Sequence, residues 1–253
     1  MLTEMLSENV IEILNKEKNS YLKDISIFVY CGGKSGSKTL WKSLKNSLHV
    51  HSNADFQLTR LDEDERELTI FDVIKYNMET KKRILIVDSY RTPIERKISA
   101  FFHHIETILP NYKEESMQTI INKFNSVLQN IEEYQSIDEV FQYFNVPSFK
   151  SFDFPKKYNL KTHENITFVK IRFQEISEWS NILSTLFNTK VTINNHNLTE
   201  KKEINLLYNE FKNVYKIPKS YLSNQLVKDS AFKIYNSKKE QAKYIEKWLL
   251  KSE

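Results

Sequence analysis

Short, continuously apolar segments alternate along the chain with segments in which apolar residues recur at helical spacing. This alternation predicts strands separated by helices. Three short runs are continuously apolar and rich in β-branched or aromatic residues, as buried strands are: Ser26–Cys31, Arg83–Asp88 and Ile166–Ile171. The weaker run His49–Leu58 has room for a further short strand. Because segments of helical period lie between these runs, the pattern predicts an α/β fold with a mainly parallel sheet flanked by helices.

Helical spacing of apolar residues fills much of the remaining chain. In Ser37–Leu48 the leucines at 40, 44 and 48 recur at every fourth position, which places them on one face of a helix. From Thr199 the pattern stays helical, with a break at Pro218, and predicts a helical C-terminal portion over 199–253. We expect a single domain over 1–253. The other predicted helices are Met1–Lys18, Phe71–Glu79, one that starts at Thr92, Glu114–Asn130, Ile137–Phe144 and Ser177–Phe187.

Two segments carry the residues that begin helices. Thr92 stands before Pro93 and three residues before Glu95, which combines an N-cap, a proline at the first helical position and a capping-box acid. Ser237 and Glu240 repeat the capping-box spacing for a C-terminal helix. The aromatic, proline-bearing segment Pro147–Leu160 predicts a loop or a small hairpin.

The composition describes a soluble globular protein, with 28% charged and 40% hydrophobic residues among 253. One cysteine excludes a disulfide framework and fits a reducing compartment. Met1–Lys18 lacks the basic start and the apolar core of a signal peptide, and no apolar run can span a bilayer. We therefore expect a cytoplasmic protein. A net charge of +4 suits an anionic ligand and is too small to indicate nucleic acid.

All 3 glycines of the chain lie between positions 32 and 36. The chain turns without glycine everywhere else, so this cluster indicates backbone that takes a positive φ or approaches a ligand closely. It follows a predicted strand and precedes a predicted helix, whose unpaired N–H groups attract anions. The segment Cys31–Thr39 thus predicts a nucleotide-phosphate site, against the simpler alternative of a turn with exposed lysines. Its charges and hydroxyls belong to Lys34, Ser35, Ser37, Lys38 and Thr39.

Two families use such a loop. Residues 32–39 read GGKSGSKT and fit the Walker A pattern, GxxxxGK followed by Ser or Thr, except that Ser37 replaces a glycine. The apolar run that ends in Asp88 matches a Walker B strand, whose acid ligates magnesium, so a kinase that uses Mg-ATP is one alternative. Residues 34–40 also resemble the loop of sulfotransferases that grips a 5′-phosphosulfate, with Lys38 in place of the usual Thr or Ser.

A second motif favours the sulfotransferases. Residues 91–103 read RTPIERKISAFFH and resemble the motif R-x-P-x5-S-x-F/Y-x-H, with which sulfotransferases bind the 3′-phosphate of the donor. ATP has no 3′-phosphate, so a kinase leaves this match unexplained. The alternative is a surface helix with an aromatic core stripe. Ile171–Ile176 and Phe232–Ser237 also resemble segments of capsular polysaccharide synthesis proteins with a sulfotransferase fold.

This resemblance implies a sulfotransferase that moves a sulfuryl group from 3′-phosphoadenosine-5′-phosphosulfate to a hydroxyl of a saccharide, in capsular or surface polysaccharide synthesis. It assigns Lys34 to the bridging oxygen of the leaving group, and Arg91 with Ser99 to the 3′-phosphate. It requires no metal. A non-catalytic relative that binds a nucleotide or glycan is a third possibility, because Lys38 departs from the family pattern. The residues assigned to the 5′-phosphosulfate are Gly33, Lys34, Ser35, Gly36, Ser37, Lys38 and Thr39.

For the general base the sequence favours His51. His49 and His51 point to one face if they lie in a strand, and they follow directly from the helix after the loop. Histidine titrates near neutral pH, and a similar His-rich segment supplies the base in sulfotransferases that act on uronic acids. The competitors are His103 and His104, and two partly exposed loop histidines are the simpler alternative.

Two further segments have simpler interpretations. Asp62–Glu67 is predicted to be a solvated acidic turn. The Tyr and Phe side chains between positions 134 and 154 are predicted to belong to the core, and their alternative role is to stack on a sugar ring.

Overall fold

The computed structural model describes residues 8–53, 68–80, 82–128, 137–193, 204–219, 221 and 226–249. The predicted acidic turn Asp62–Glu67 lies outside these residues. The chain forms two compact units. The first unit comprises Met1–Ser89, Tyr134–Ser148 and Lys156–Asn194, and the second comprises Tyr90–Glu133, Phe149–Pro155 and Asn195–Glu253. The expectation of a single domain stays a prediction.

A five-stranded sheet with the order β2-β1-β3-β5-β4 organises the first unit. β1 pairs in parallel with both β2 and β3, whereas β4 and β5 form an antiparallel hairpin. β3 and β5 begin at the same end of the sheet, since the Ile84 N–H donates to the Asn165 carbonyl at 2.9 Å. The predicted α/β class with a mainly parallel sheet is confirmed. The strands are β1 (Ile27–Tyr30), β2 (Ser47–Val50), β3 (Ile84–Tyr90), β4 (Tyr158–His163) and β5 (Ile166–Arg172).

Burial along the strands explains which of them the sequence predicts best. β3 and β5 lie inside the sheet and are buried along their whole length, as their continuous apolar runs indicate. β4 is an edge strand with mixed burial, and its polar sequence YNLKTH resembles a loop. The predicted loop or hairpin Pro147–Leu160 is therefore only partly right, because Leu160 lies within β4.

α-Helices precede, separate and follow the strands of the sheet. Among the described residues they are α1 (Glu8–Asn15), α2 (Ser37–Ser43), α3 (Ile70–Glu79), α4 (Pro93–His103), α5 (Ile105–Ile108), α6 (Met117–Val127), α7 (Asp138–Tyr143), α8 (Trp179–Phe187), α9 (Asn205–Val214), α10 (Ser230–Tyr235) and α11 (Lys238–Trp248). A 3₁₀-helix, Glu17–Asp24, follows α1, and another, Phe173–Glu178, precedes α8. None of these helices is long and apolar enough to cross a bilayer.

The helix predicted over Ser37–Leu48 is shorter than its leucine spacing indicates. α2 ends at Ser43, and Leu48 belongs to β2. Asn46 takes a positive φ of 55°, and the Ser47 hydroxyl donates to the Leu44 carbonyl at 2.6 Å, so the chain turns at once into the strand. Side chains four residues apart share a face in a helix and in a strand alike. The spacing of the leucines therefore could not show where the helix ends and the strand begins.

The second unit is helical in its described residues and packs around an aromatic core. Ile98, Phe101 and Phe102 of α4 are buried there, as the sequence predicts. Pro93 takes the first helical position of α4, but the predicted capping box does not form, because the Thr92 hydroxyl donates to the Glu95 carboxylate instead of capping the backbone. The capping box of Ser237 and Glu240 is confirmed at the start of α11.

Candidate functional site

The glycine cluster lies at the carboxyl end of β1, where the order of the strands reverses. The chain passes from β1 to β2 on one side of it and then returns to β3 on the other side. Open α/β sheets bind ligands outside the carboxyl ends of their strands at such a switch point. We call residues 31–36 the glycine loop. Its place in the sheet favours a ligand site.

Two left-handed residues shape the glycine loop. Lys34 has a φ of 66° and Gly36 a φ of 94°, and Gly36 is the N-cap of α2. Left-handed residues within a turn direct successive backbone N–H groups to one concave side, which suits an anion. A left-handed conformation costs a lysine about 1 kcal/mol or more, and such strain is concentrated at functional sites.

Hydroxyl groups anchor the glycine loop. The Ser35 hydroxyl donates to the Gly32 carbonyl at 2.7 Å, and the Ser89 hydroxyl of β3 donates to the Ser35 carbonyl at 2.7 Å. Ser37 and Thr39 at the start of α2 are buried too. The sequence predicts that Ser35 binds phosphate, but in the structure its hydroxyl proton serves the loop itself. Ser89 is an anchor that the sequence did not indicate.

Gly33 and Gly36 differ in the space that is available to a side chain. A Cβ atom at Gly36 would lie 2.9 Å from both Phe173 Cδ2 and Trp179 Cη2, so the aromatic rings exclude any larger residue. At Gly33, none of the described residues comes within 4 Å of the Cβ position. The packing of the protein therefore requires Gly36, whereas Gly33 leaves open space at the loop where a ligand can approach.

The two lysines of this segment differ in exposure. Lys34, at the left-handed turn, is half-buried, whereas Lys38 is exposed. The sulfotransferase pattern assigns Lys34 to the reacting oxygen, and the Walker A pattern assigns the phosphates to Lys38. The half-buried lysine is the one within the glycine loop.

His51 lies against the first residue of the glycine loop. It follows β2, is half-buried, and its Nδ1 lies 2.6 Å from the Cys31 carbonyl oxygen. A carbonyl only accepts, so Nδ1 carries the proton and Nε2 of the neutral ring carries the lone pair that a general base needs. The His49 ring contacts His51 edge-on at 4.5 Å and stacks on Trp41 at 5.6 Å. The structure thus brings His51 to the loop.

Asp88, the candidate magnesium ligand of the kinase alternative, lies in a buried ion pair. Its Oδ2 atom is 2.5 Å from Lys170 Nζ, and both side chains are fully buried. The same oxygen accepts from the Ile137 N–H at 3.0 Å. Lys170 was not predicted, although a lone lysine within the apolar run ITFVKI is a visible signal. Burial, followed by the charge of Asp88, raises the pKa of the adjacent Cys31 thiol, so Cys31 stays protonated.

A second ion pair, partly buried, lies where β5 ends. Arg172 forms a bidentate ion pair with the carboxylate of Glu175, three residues later. The backbone carbonyl of Arg172 accepts from Trp179 Nε1 at 3.0 Å. Phe173 follows Arg172 directly and faces Gly36. These residues hold the aromatic rings that support the glycine loop. The spacing of Arg172 and Glu175 was a local signal for the pair.

The residues of the Arg91 motif lie in the second unit. Arg91 follows β3, is half-exposed, and its guanidinium approaches the Tyr208 hydroxyl at 3.5 Å. Ser99 is half-exposed on α4, about two turns after Pro93. Exposed His103 packs against His104, with ring centroids 4.7 Å apart. Two predicted phosphate ligands are thus accessible on this part of the chain.

Comparison with known proteins gives no match, because no family model, curated protein or solved structure is significantly similar to this chain. Within the described residues, no group of three or more His, Cys, Asp or Glu side chains is placed to hold a metal ion. The chemical interpretation therefore depends on the glycine loop, His51 and the Arg91 motif.

Proposed function

We propose that this protein is a sulfotransferase, which moves a sulfuryl group from 3′-phosphoadenosine-5′-phosphosulfate to a saccharide hydroxyl. The observation that carries the proposal is the glycine loop, with left-handed Lys34 and Gly36 at the strand switch point. Its left-handed residues and its half-buried lysine suit the 5′-phosphosulfate. The fit to the motif R-x-P-x5-S supports a donor with a 3′-phosphate. We place the reaction in capsular or surface polysaccharide synthesis on the same resemblance, and in the cytoplasm because a single cysteine fits a reducing compartment.

In this proposal each residue has one task. Backbone N–H groups of the glycine loop, with Ser37, Lys38 and Thr39, bind the 5′-phosphate. Lys34 neutralises the charge that develops on the bridging oxygen as its bond to sulfur breaks. Arg91 and Ser99 bind the 3′-phosphate, Arg91 through the planar fork of its guanidinium. The bisphosphate product leaves with the electron pair of the broken bond.

His51 accepts the proton of the saccharide hydroxyl as the new oxygen–sulfur bond forms. Its tautomer suits this task, since the Nδ1–H bond to the Cys31 carbonyl orients the ring and leaves Nε2 as the acceptor. The same bond ties the base to the loop that binds the donor. His103 and His104, the competing candidates, are exposed on the second unit and pack against each other.

The kinase alternative is less well supported. Asp88, which would have to hold magnesium, is fully buried and paired with Lys170. Its hydrogen bond from Ile137 uses the same carboxylate oxygen. Magnesium prefers carboxylates beside water and substrate phosphates. The exposure of Lys38 also fits a Walker A role less well than a half-buried lysine would.

A thermal-shift titration tests the proposal. The protein should be stabilised by 3′,5′-adenosine bisphosphate and much less by Mg-ATP, because only the bisphosphate carries the 3′-phosphate. Arg91→Ala should weaken bisphosphate binding by about tenfold or more, the worth of a charged hydrogen bond. Arg83→Ala is the matched control, since it removes an exposed arginine at the opposite end of β3. A preference for Mg-ATP would overturn the proposal.

A second variant tests the base. His51→Ala should keep the bisphosphate response and lower the turnover of sulfuryl transfer by about a hundredfold or more, as the loss of a general base does. Bisphosphate binding with no turnover in the wild type would instead identify a non-catalytic relative. Full turnover in His51→Ala would mean that another residue takes the proton.

A further inference from the structure

A stack of aromatic rings leads from the sheet to the surface of the first unit. Phe71 of α3 lies parallel to Tyr30 of β1, with ring centroids 6.5 Å apart. The ring of Tyr143, at the end of α7, stacks on Phe71 at 4.2 Å with 29° between the planes. Tyr143 is 44% exposed, whereas Phe71 is buried. Phe71 therefore supports an aromatic ring that the protein presents at its surface.

Hydrogen bonds join the start of α3 to the segment that follows His51. The Phe71 N–H donates to the Asn53 side-chain oxygen at 3.0 Å, and the Ile70 N–H donates to the Asn53 carbonyl at 3.1 Å. Asn53 stands two residues after His51, which is at most about 7 Å of extended chain. Tyr30 at the end of β1 pairs with Val50, the residue before His51. The stack and the proposed base thus lie at the same end of the sheet, with Tyr30 and Phe71 on one face and the His49 and His51 rings on the other.

The chemistry of the exposed ring suits a sugar. A pyranose has a face of C–H groups that packs on an aromatic ring and an edge of hydroxyls that needs polar partners. Tyr143 offers a rigid flat ring with a polar tip, as residues do where one side of a ligand is apolar and the other is hydrated. Asp138 is half-exposed on the same short helix, and Gln142 is exposed beside Tyr143. These side chains are of the type that binds hydroxyl groups.

We propose that the stacked pair of Phe71 and Tyr143 binds a pyranose ring of the acceptor, with the C–H face of the sugar on Tyr143. The assignment of this sugar as the acceptor rests on the proposed function. The binding of a pyranose to Tyr143 does not, since it follows from the exposed, supported ring.

Saturation-transfer NMR with methyl β-D-glucopyranoside and with N-acetylglucosamine tests the site. The wild type should transfer saturation to the ring protons of at least one sugar. Tyr143→Ala should reduce the transfer by about fivefold or more, since it removes the aromatic stack, whereas Tyr143→Phe should retain it. Tyr21→Ala is the matched control, because Tyr21 is a tyrosine of the same unit that is 52% exposed.

The outcomes separate this inference from the proposed function. Equal transfer in the wild type and Tyr143→Ala, or equal losses in Tyr143→Ala and Tyr21→Ala, would overturn the sugar site. The bisphosphate thermal shift should be the same in all four proteins. If the wild type does not respond to bisphosphate but its sugar signal still depends on Tyr143, the proposed function fails and the sugar site stands.

Discussion

The glycine loop and helix α4 both match phosphate-binding patterns, but they are built by different means. The glycine loop depends on its backbone conformation, since Lys34 and Gly36 take positive φ and the hydroxyl groups of Ser35 and Ser89 hold the turn. In α4 the candidate ligand Ser99 is a half-exposed side chain on an ordinary helix. Substitution of Gly36 in the glycine loop should therefore change folding and binding together, whereas loss of Ser99 should weaken binding and leave the fold intact.

The anchoring of α4 explains this difference. Its first turn is fixed by Glu95, whose carboxylate accepts from the hydroxyls of Thr92 and Tyr244 and from Lys247 Nζ. Further along, Lys97 Nζ donates to the Leu128 carbonyl at 2.8 Å. These contacts leave Ser99 outside the network that positions the helix. A candidate ligand can thus be removed there without disturbing the scaffold.

The largest effect should come from β3, the strand that ends beside the glycine loop. Asp88→Asn should lower the free energy of unfolding by about 3–5 kcal/mol, because it leaves the buried Lys170 charge unpaired. Urea denaturation measures this loss. Glu178→Gln is the control, since its pair with Lys157 is partly exposed and is worth about 1 kcal/mol or less. A stable Asp88→Asn protein that has lost Mg-ATP binding would favour the kinase alternative.

The next largest effect should be in the glycine loop. Gly36→Ala should cost about 2–4 kcal/mol, because the residue has a φ of 94° and its new Cβ would overlap Phe173 and Trp179. Thermal unfolding followed by tryptophan fluorescence measures the shift. If Gly36→Ala unfolds at the same temperature as the wild type, the loop does not have this conformation.

A smaller and pH-dependent effect is expected at the start of α4. Burial acts to raise the pKa of Glu95, but the hydrogen bond from Tyr244 and the charge of Lys247 outweigh it and hold this pKa below its ordinary value. A lowered carboxylate pKa stabilises the fold above the unfolded-state pKa of about 4.3, and this contribution disappears as the pH falls through the folded pKa. Glu95→Gln should therefore cost about 1–2 kcal/mol at pH 7.

The same comparison in acid checks the sign of that effect. The difference in unfolding free energy between the wild type and Glu95→Gln should shrink as the pH falls below about 4. Glu106→Gln, which alters an exposed carboxylate in the neighbouring α5, should show little difference at either pH. A deficit of Glu95→Gln that stays constant from pH 7 into acid would mean that charge has no part in anchoring α4.

The parts of this fold that the sequence predicts are those with strong local patterns. β3 and β5 are continuous apolar runs inside the sheet, and the capping box of Ser237 and Glu240 is a contact between near neighbours. The concentration of glycine predicts an unusual turn, and Gly36 has one. Patterns fail where two elements share a spacing, as at Leu48, or where a tertiary partner competes, as Tyr244 and Lys247 do for Glu95.

The features that the sequence could not predict depend on pairing between distant strands. The bond from Ser89 to Ser35 joins the end of β3 to the glycine loop, and the pair of Asp88 and Lys170 joins β3 to β5. Both follow from the order of strands in the sheet, which composition and periodicity do not reveal. These contacts nevertheless decide how the candidate site is interpreted, because they assign Asp88 to the scaffold.

The smallest effect on stability, and the sharpest test of the glycine loop, should come from Gly33. Gly33→Ala should change the unfolding free energy by about 0.5 kcal/mol or less, because none of the described residues lies within 4 Å of the new Cβ atom. The same methyl group would occupy space that a bound phosphate needs, so the affinity for 3′,5′-adenosine bisphosphate should fall by about tenfold, measured by calorimetry. Undiminished affinity would show that the ligand does not approach the backbone at Gly33. Loss of both stability and affinity would mean that Gly33, like Gly36, serves the fold.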